Sequence, residues 1–298
     1  RLNGANVFLC LWISFMEVMK MYKMILSDLD ETLLVDHHVP EVNRAAVGKL
    51  ESKGVKFVPA TGRAFNMIGE ILQELGTYQK AGEYSICFNG GLIVENKDNH
   101  ILYFNGLTFE DTKTLFDIGK DYDVCVMIFT LDCCYIFKAD PDEVARKTAQ
   151  KARFEVIEDY NMDFLKEAKI AKILFEKRDM PYLKKIEEDL VDVTKGRFAV
   201  SYSSYRYLEF NPLDVSKGSA LLWLADYLGI SQTETIAIGD NYNDTSMIET
   251  AGLGVCVDGA TDDIKAMSDY VTTVDYDQGA VAEVIEKFIE RDGEFKNV

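Results

Sequence analysis

The sequence predicts an α/β fold: a parallel sheet with helices on both faces, and a separate α+β module inserted in its middle. Three observations carry this. Short apolar strands alternate with amphipathic helices from Lys23 to Phe88, the alternation breaks after Asn89, and it returns from Tyr207 onward. Strands separated by single helices pair in parallel through β-α-β crossovers, so the two flanking stretches are assigned to one sheet.

Taken in order, Met24-Ile-Leu-Ser27 is a short apolar strand that ends at Asp28. Val42, Ala46 and Leu50 then recur at helical spacing, and Gly54 supplies the stop. Val55-Lys-Phe-Val58 is the second strand. The helix after it carries Met67, Ile68, Ile71, Leu72 and Leu75 and closes at Gly76, and Tyr84–Phe88 is the third strand. Beyond Asn89 the pattern becomes a hairpin over 92–104, a helix near 109–120, strands at 124–129 and 133–137, and a helix opened by Asp140-Pro141. A strand at 170–175, a helix at 181–190 and a strand near 198–202 complete this section. A helix around 219–228, a strand Thr235–Ile238 and two further β-α steps then restore the first rhythm. The expected division is therefore a leader over 1–20, a core domain over 21–88 and 206–298, and an inserted domain over 89–205.

The leader needs its own reading. Val7–Phe15 is apolar but far short of the ~20 residues that cross a bilayer. A signal-peptide core is the alternative, yet Glu17 to Lys20 offer no small-residue cleavage site. The expectation is a leader of unassigned origin, with Met21 or Met24 opening the domain.

A chain of 298 residues buries enough surface to need neither disulfides nor a structural metal. Its formal charge of −18 repels polyphosphate backbones, which argues against non-specific nucleic-acid binding. Nothing points to a membrane partner. The six cysteines form no Cys-x-x-Cys pair, and Cys87, Cys125 and Cys256 sit in apolar strand-like runs. Buried free thiols and a cytoplasmic location are expected.

The chemistry concentrates where strands end. In Ile25-Leu-Ser-Asp28-Leu-Asp30-Glu-Thr32 an apolar strand runs into two aspartates, and Thr235–Gly239 repeats the pattern with Asp240-Asn-Tyr-Asn243-Asp244. Ligands of open parallel sheets bind beyond the carboxyl ends of the strands. If the two strands are neighbours, Asp28, Asp30 and Asp240 converge, and carboxylates about 4 Å apart repel by roughly 4 kcal/mol at an effective dielectric of 20. A hard cation relieves that repulsion, and all-oxygen donors favour Mg²⁺ over Zn²⁺ or Cu²⁺. Thr61-Gly62-Arg63 follows the second strand, and Lys217 precedes a helix. Read singly, Thr61 is a helix cap and the two cations are solvated. Read together, they offer donors and positive charge to a phosphoryl group beside a nucleophilic carboxylate.

This motif set, Asp28-Leu-Asp30-Glu-Thr32, Thr61-Gly62-Arg63, Asn89-Gly90, Ser216-Lys217-Gly218 and Gly239–Asp244, resembles that of the haloacid-dehalogenase superfamily. It is most similar to the Cof-type phosphatases of subclass IIB. The resemblance implies a Rossmann-like core with an inserted α/β cap, and a phosphatase of small phosphorylated metabolites such as sugar phosphates. It implies Asp28 as the nucleophile, Asp30 as the acid and base, and Thr61 and Lys217 as holders of the phosphoryl oxygens. Mg²⁺ would bind Asp28, the Asp30 main-chain carbonyl and Asp240, with Asp244 in the same metal group. Gly62, Arg63, Asn89 and Asn243 are expected substrate contacts, and Asn211 a further one near the seam. Glu31 departs from the family, which has glycine there. A side chain at that position predicts a loop that avoids positive φ.

A phosphomutase of the same superfamily needs the same aspartyl-phosphate and is the nearest alternative. A phospho-accepting signalling module is the alternative from another class, but such modules are shorter and lack a cap. The aromatic run over 202–207 reads as half-buried strand packing, with lining of the core-cap seam as the other reading. Oligomeric state is not indicated.

Overall fold

The structure is a computed structural model and describes residues 21–290, so the expected leader and Cys10 lie outside the described residues. β1 (Met24–Ser27) is buried along its whole length, as a central strand of a parallel sheet requires. Its alternate side chains enter different packing layers. Ile25 joins Ala46, Val47, Val281 and Ile285 on one face, while Met24 and Leu26 join Ala220, Leu221 and Leu224 on the other.

β2 (Lys56–Pro59) pairs with β1 in parallel, and Ala60 just beyond it bridges Ile86 of β3 (Tyr84–Cys87). β4 (Leu92–Glu95) and β5 (His100–Phe104) form the hairpin expected inside the inserted module. β4 also pairs with β3, so the sheet runs β3-β4-β5 and the hairpin stays on the core side.

The second module holds β6 (Cys125–Thr130), β7 (Cys134–Phe137), β8 (Phe154–Ile157), β9 (Ile170–Glu176), β10 (Phe198–Ser203) and β11 (Tyr207–Pro212), arranged as β10-β11-β9-β6-β7-β8. β11 pairs with β9 and β10, although the sequence assigns it to the returning core. Periodicity marks where strands are and says nothing of their partners. Helices Phe109–Gly119 and Met180–Asp189 cover one face of this sheet through Leu115, Phe116, Leu183 and Ile186. The other face, with Met127, Phe129 and Leu174, turns toward the core.

β12 (Thr235–Gly239), β13 (Leu253–Cys256) and β14 (Tyr270–Val271) complete the core sheet in the order β14-β13-β12-β1-β2, all parallel. The carboxyl ends of β1, β2 and β12 therefore lie side by side, which brings Asp28, Thr61 and Asp240 to one rim. The described cysteines, Cys87, Cys125, Cys133, Cys134 and Cys256, are free and buried. Among the described residues no helix is long and apolar enough to cross a membrane.

Candidate active site

Asp28 follows β1 directly, and its N–H continues the ladder by donating to Ile238 O at 2.9 Å. Lys217 opens the helix Lys217–Tyr227, whose N-cap Ser216 accepts from Ser219 N at 3.0 Å. That cap fixes the first turn so that Lys217 points inward. Its fully buried Nζ donates to Asp28 Oδ1 at 2.5 Å and to Asp244 Oδ1 at 2.6 Å. Burial disfavours the ammonium, but Asp244 and Asp28 outweigh it and hold its pKa above the ordinary lysine value.

Asp244 is held from its other side, with Oδ2 accepting from the main-chain N–H of Asp240 at 3.0 Å and of Asn241 at 3.2 Å. Gly239 permits this return of the chain. A Cβ there would stand 2.4 Å from Asp244 Cβ. Asp240 Oδ1 accepts from Thr32 at 2.7 Å, across 208 positions of sequence. Oxygens of Asp28, Asp240 and Asp244 all lie within 4.8 Å of one another. Burial, then Asp244 and Asp28, push Asp240 up to about 9. Burial likewise raises Asp28 to about 7, against the pull of Lys217. The crowding thus favours protons on Asp240 and Asp28 when no cation is bound, and the all-oxygen donors fit a hard divalent ion that would replace them.

Asp30 stands apart from that cluster. Its carboxylate is gripped by Arg63, whose Nε donates to Oδ2 at 2.8 Å and whose Nη2 donates to Oδ1. The spacing brought the carboxylates of Asp28, Asp30 and Asp240 together, and the resemblance added Asp244; the cluster observed is Asp28, Asp240 and Asp244, without the Asp30 side chain. The reason is the loop between, where Leu33 and Leu34 N–H both return to Leu29 O and point Asp30 to the rim. Glu31 in this loop has φ of 60°, which corrects the expectation that its side chain excludes positive φ. The two return bonds impose the left-handed turn on a residue that pays for it locally.

Thr61 is buried, and its Oγ1 accepts from Arg63 N at 3.1 Å, which leaves its own hydroxyl proton for a ligand. Asn89 is brought in by a turn in which Phe88 and Asn89 have φ of 50° and 55°. Gly90 follows at φ 106°, where a Cβ would lie 2.1 Å from Ser216 O. Asn89 Oδ1 accepts from Asn243 at 3.4 Å, and its amide donates to Glu209 at 3.2 Å.

Glu209 belongs to the second module, so a cavity of ≈ 140 Å³ lies between the two modules. Its floor includes Asp28, Asp30, Thr61, Gly62, Arg63, Asn89, Asp240 and Asn243. Lys172 reaches down from β9, donating to Glu209 at 2.6 Å and to Gly62 O at 3.2 Å. Arg146, Lys147, Gln150, Tyr205 and Tyr207 also line the cavity. Two of the aromatics over 202–207 thus line the seam, whereas Tyr202 bonds Glu187 in the second module. Asn211 is buried but is not among the lining residues. Sequence reading missed Thr32, Lys172 and Glu209 as site residues. The signal for the last two was a charge with apolar residues on either side of it inside a strand.

The profile of haloacid dehalogenase-like hydrolases matches residues 25–285. YxeH of Bacillus subtilis, whose phosphatase designation is itself provisional, is 31% identical over 275 residues, covering 90% of this chain and 99% of that one. A second Bacillus subtilis protein, 5-amino-6-(5-phospho-D-ribitylamino)uracil phosphatase YcsE, is 26% identical over 269 residues, covering 90% of this chain and 96% of its own. A haloacid dehalogenase-like hydrolase from Bacteroides thetaiotaomicron superimposes with a TM-score of 0.77 at 28% identity, covering 89% of this chain and 98% of that one. The chain belongs to the haloacid dehalogenase-like hydrolases and is an enzyme of that family.

Proposed function

We propose that the chain is a Mg²⁺-dependent, cytoplasmic phosphatase of small phosphomonoesters, sugar phosphates among them, acting through an aspartyl-phosphate on Asp28. The carrying observation is the buried Lys217 bridging Asp28 and Asp244 beside Asp240. Lys217 engages one oxygen of Asp28, and the other is left to attack phosphorus in line with the departing ester oxygen. The bond from Asp28 to phosphorus forms as the ester P–O bond breaks. Asp30, protonated from solvent once it leaves Arg63, delivers that proton to the leaving oxygen, then takes one from the water that cleaves the acyl-phosphate.

For this, Asp30 must exchange Arg63 for the leaving oxygen, so Arg63 acts as its keeper in the resting site. Thr61 and Lys217 hold non-bridging oxygens, and Asn89 and Asn243 brace the rim. Asp28, the Asp30 main-chain carbonyl, Asp240 and Asp244 are the residues that would hold Mg²⁺. Bound there, the ion adds positive charge against the phosphoryl oxygens. The module from about residue 106 to 212 acts as the cap that shields the reaction from water. A relative that removes phosphate from a ribityl phosphate supports the small-ester reading.

The test is phosphate release from p-nitrophenyl phosphate and a panel of sugar phosphates, with Mg²⁺ or with chelator. Asp28→Asn should abolish turnover, since an amide cannot form the acyl-phosphate. Turnover surviving in that variant overturns the scheme.

A further inference from the structure

Among the described residues four cations line the cavity, and three of them are matched by carboxylates of this chain. Arg63 is held by Asp30, Lys172 by Glu209, and Lys147 by Glu143 at 3.1 Å. Arg146 is different. Among the described residues no carboxylate lies within ion-pairing distance of it, and its Nε is buried without a hydrogen-bond partner. One helical turn on, at the end of helix Pro141–Ala149, Gln150 lines the same cavity with a buried, unpartnered Oε1. The spacing of four places both side chains on one face of the helix.

An orphaned guanidinium N–H and an orphaned amide oxygen side by side describe a ligand. A guanidinium has donors only and matches carboxylate or phosphate oxygens in pairs. The amide oxygen accepts from a hydroxyl or amine. Leaving either group unsatisfied when buried is costly, and the remaining cavity cations are already neutralised and do not compete. A leaving group of neutral hydroxyls alone would leave the one unmatched charge of the roof uncompensated.

We propose that Arg146 and Gln150 form the leaving-group subsite, and that the preferred substrates carry a second anionic group and a hydroxyl beside the phosphomonoester. This rests on the phosphatase reading above. The anion is a carboxylate or a second phosphate, and both sources share the chemistry that Arg146 recognises.

The test uses matched pairs read on the same enzyme preparation, so that the fraction of folded protein cancels. 3-Phosphoglycerate is compared with glycerol 3-phosphate, 4-phosphoerythronate with erythritol 4-phosphate, and 6-phosphogluconate with sorbitol 6-phosphate. Ribulose 1,5-bisphosphate against ribulose 5-phosphate provides the phosphate arm. The expected result is a kcat/KM ratio of at least tenfold in favour of the anionic member of one or more pairs. The arm in which it occurs identifies the anion. Arg146→Met should bring that ratio to within threefold of unity, and Arg146→Lys should keep part of the preference because it retains charge without the planar fork. Gln150→Glu, which sets a negative charge beside the subsite, should lower the ratio as well. A wild-type ratio near unity in every pair overturns the proposal, and so does a ratio that Arg146→Met leaves unchanged. Wild-type enzyme that hydrolyses no ester at all, p-nitrophenyl phosphate included, overturns the phosphatase reading itself.

Discussion

Asp240→Asn should stabilise the metal-free protein while abolishing its response to Mg²⁺. The three carboxylates lie within 4.8 Å of one another, and at that separation each like-charged pair costs about 3.5 kcal/mol at an effective dielectric of 20. Lys217 contacts Asp28 and Asp244 and offsets their repulsion, whereas among the described residues the Asp240 carboxylate accepts from the Thr32 hydroxyl and feels Lys217 only at a distance. The asparagine keeps the acceptor for that hydroxyl and removes the ionisable group, with the cost of either charging it here or holding it protonated at neutral pH. Partial screening by Lys217 and relaxation of the rim reduce the gain to about 1–3 kcal/mol. Urea unfolding in chelator and in excess Mg²⁺ reads both effects. Wild type should gain stability from Mg²⁺ by mass action, and the variant should start higher and gain little. A variant less stable than wild type in chelator, or one that gains as much from Mg²⁺, refutes the electrostatic account of this cluster.

Glu31→Gly should raise stability by about 0.5–1 kcal/mol, because glycine adopts the observed positive φ at no steric cost while losing more chain entropy than glutamate. Urea midpoints decide it, and a loss of stability would show that the Glu31 side chain earns its place through contacts. Burial, then Glu143 and Asp140, raise Glu176 to about 7, with Arg206 and Arg178 opposing. An acid raised in the folded state binds more protons there, so its contribution is favourable below about pH 4.5 and is lost as pH rises through 7. Glu176→Gln should therefore stabilise the protein at pH 8 by about 1–2 kcal/mol, after discounting for solvent screening, and leave it nearly unchanged at pH 4.5. Thermal unfolding at the two pH values tests this, and an equal effect at both would remove charge as the cause.

The parallel core was legible because its strands carry signals on a single short run. Met24-Ile-Leu-Ser27 is apolar on both faces, as only a doubly covered strand can be, and it ends in an acid. The meeting of Asp28 with Asp240 followed once both strands were placed in one sheet. Pairing was not legible, since Leu92–Glu95 and Tyr207–Pro212 look alike whichever sheet receives them. The absence of the Asp30 side chain from the acidic cluster depends on a loop closed by two bonds to Leu29 O, and loop closure leaves no periodic trace. Glu31 misled for a related reason: local preference forbids what a closed loop can impose.

The seam between the modules is joined by polar bonds that end on residues lining the cavity. Lys172 ties β9 to Gly62 O, between Thr61 and Arg63, and Glu209 ties β11 to Asn89. Asn243 then connects Asn89 to the loop that holds Asp240 and Asp244. A charge buried in such a chain is costly when a partner is removed, typically by 3–5 kcal/mol, so the two strands and the two rim loops keep one register. Each bond ends on a main-chain carbonyl or a neutral amide, so none of them engages the Asp28 carboxylate or the Thr61 hydroxyl proton. The same residues that align the roof with the floor thus leave the Asp28 carboxylate and the Thr61 hydroxyl unengaged by the seam, and Arg146 lies on the roof they align. On the proposed reading, selection of the leaving group and placement of the phosphoryl group would both depend on this one hydrogen-bonded seam.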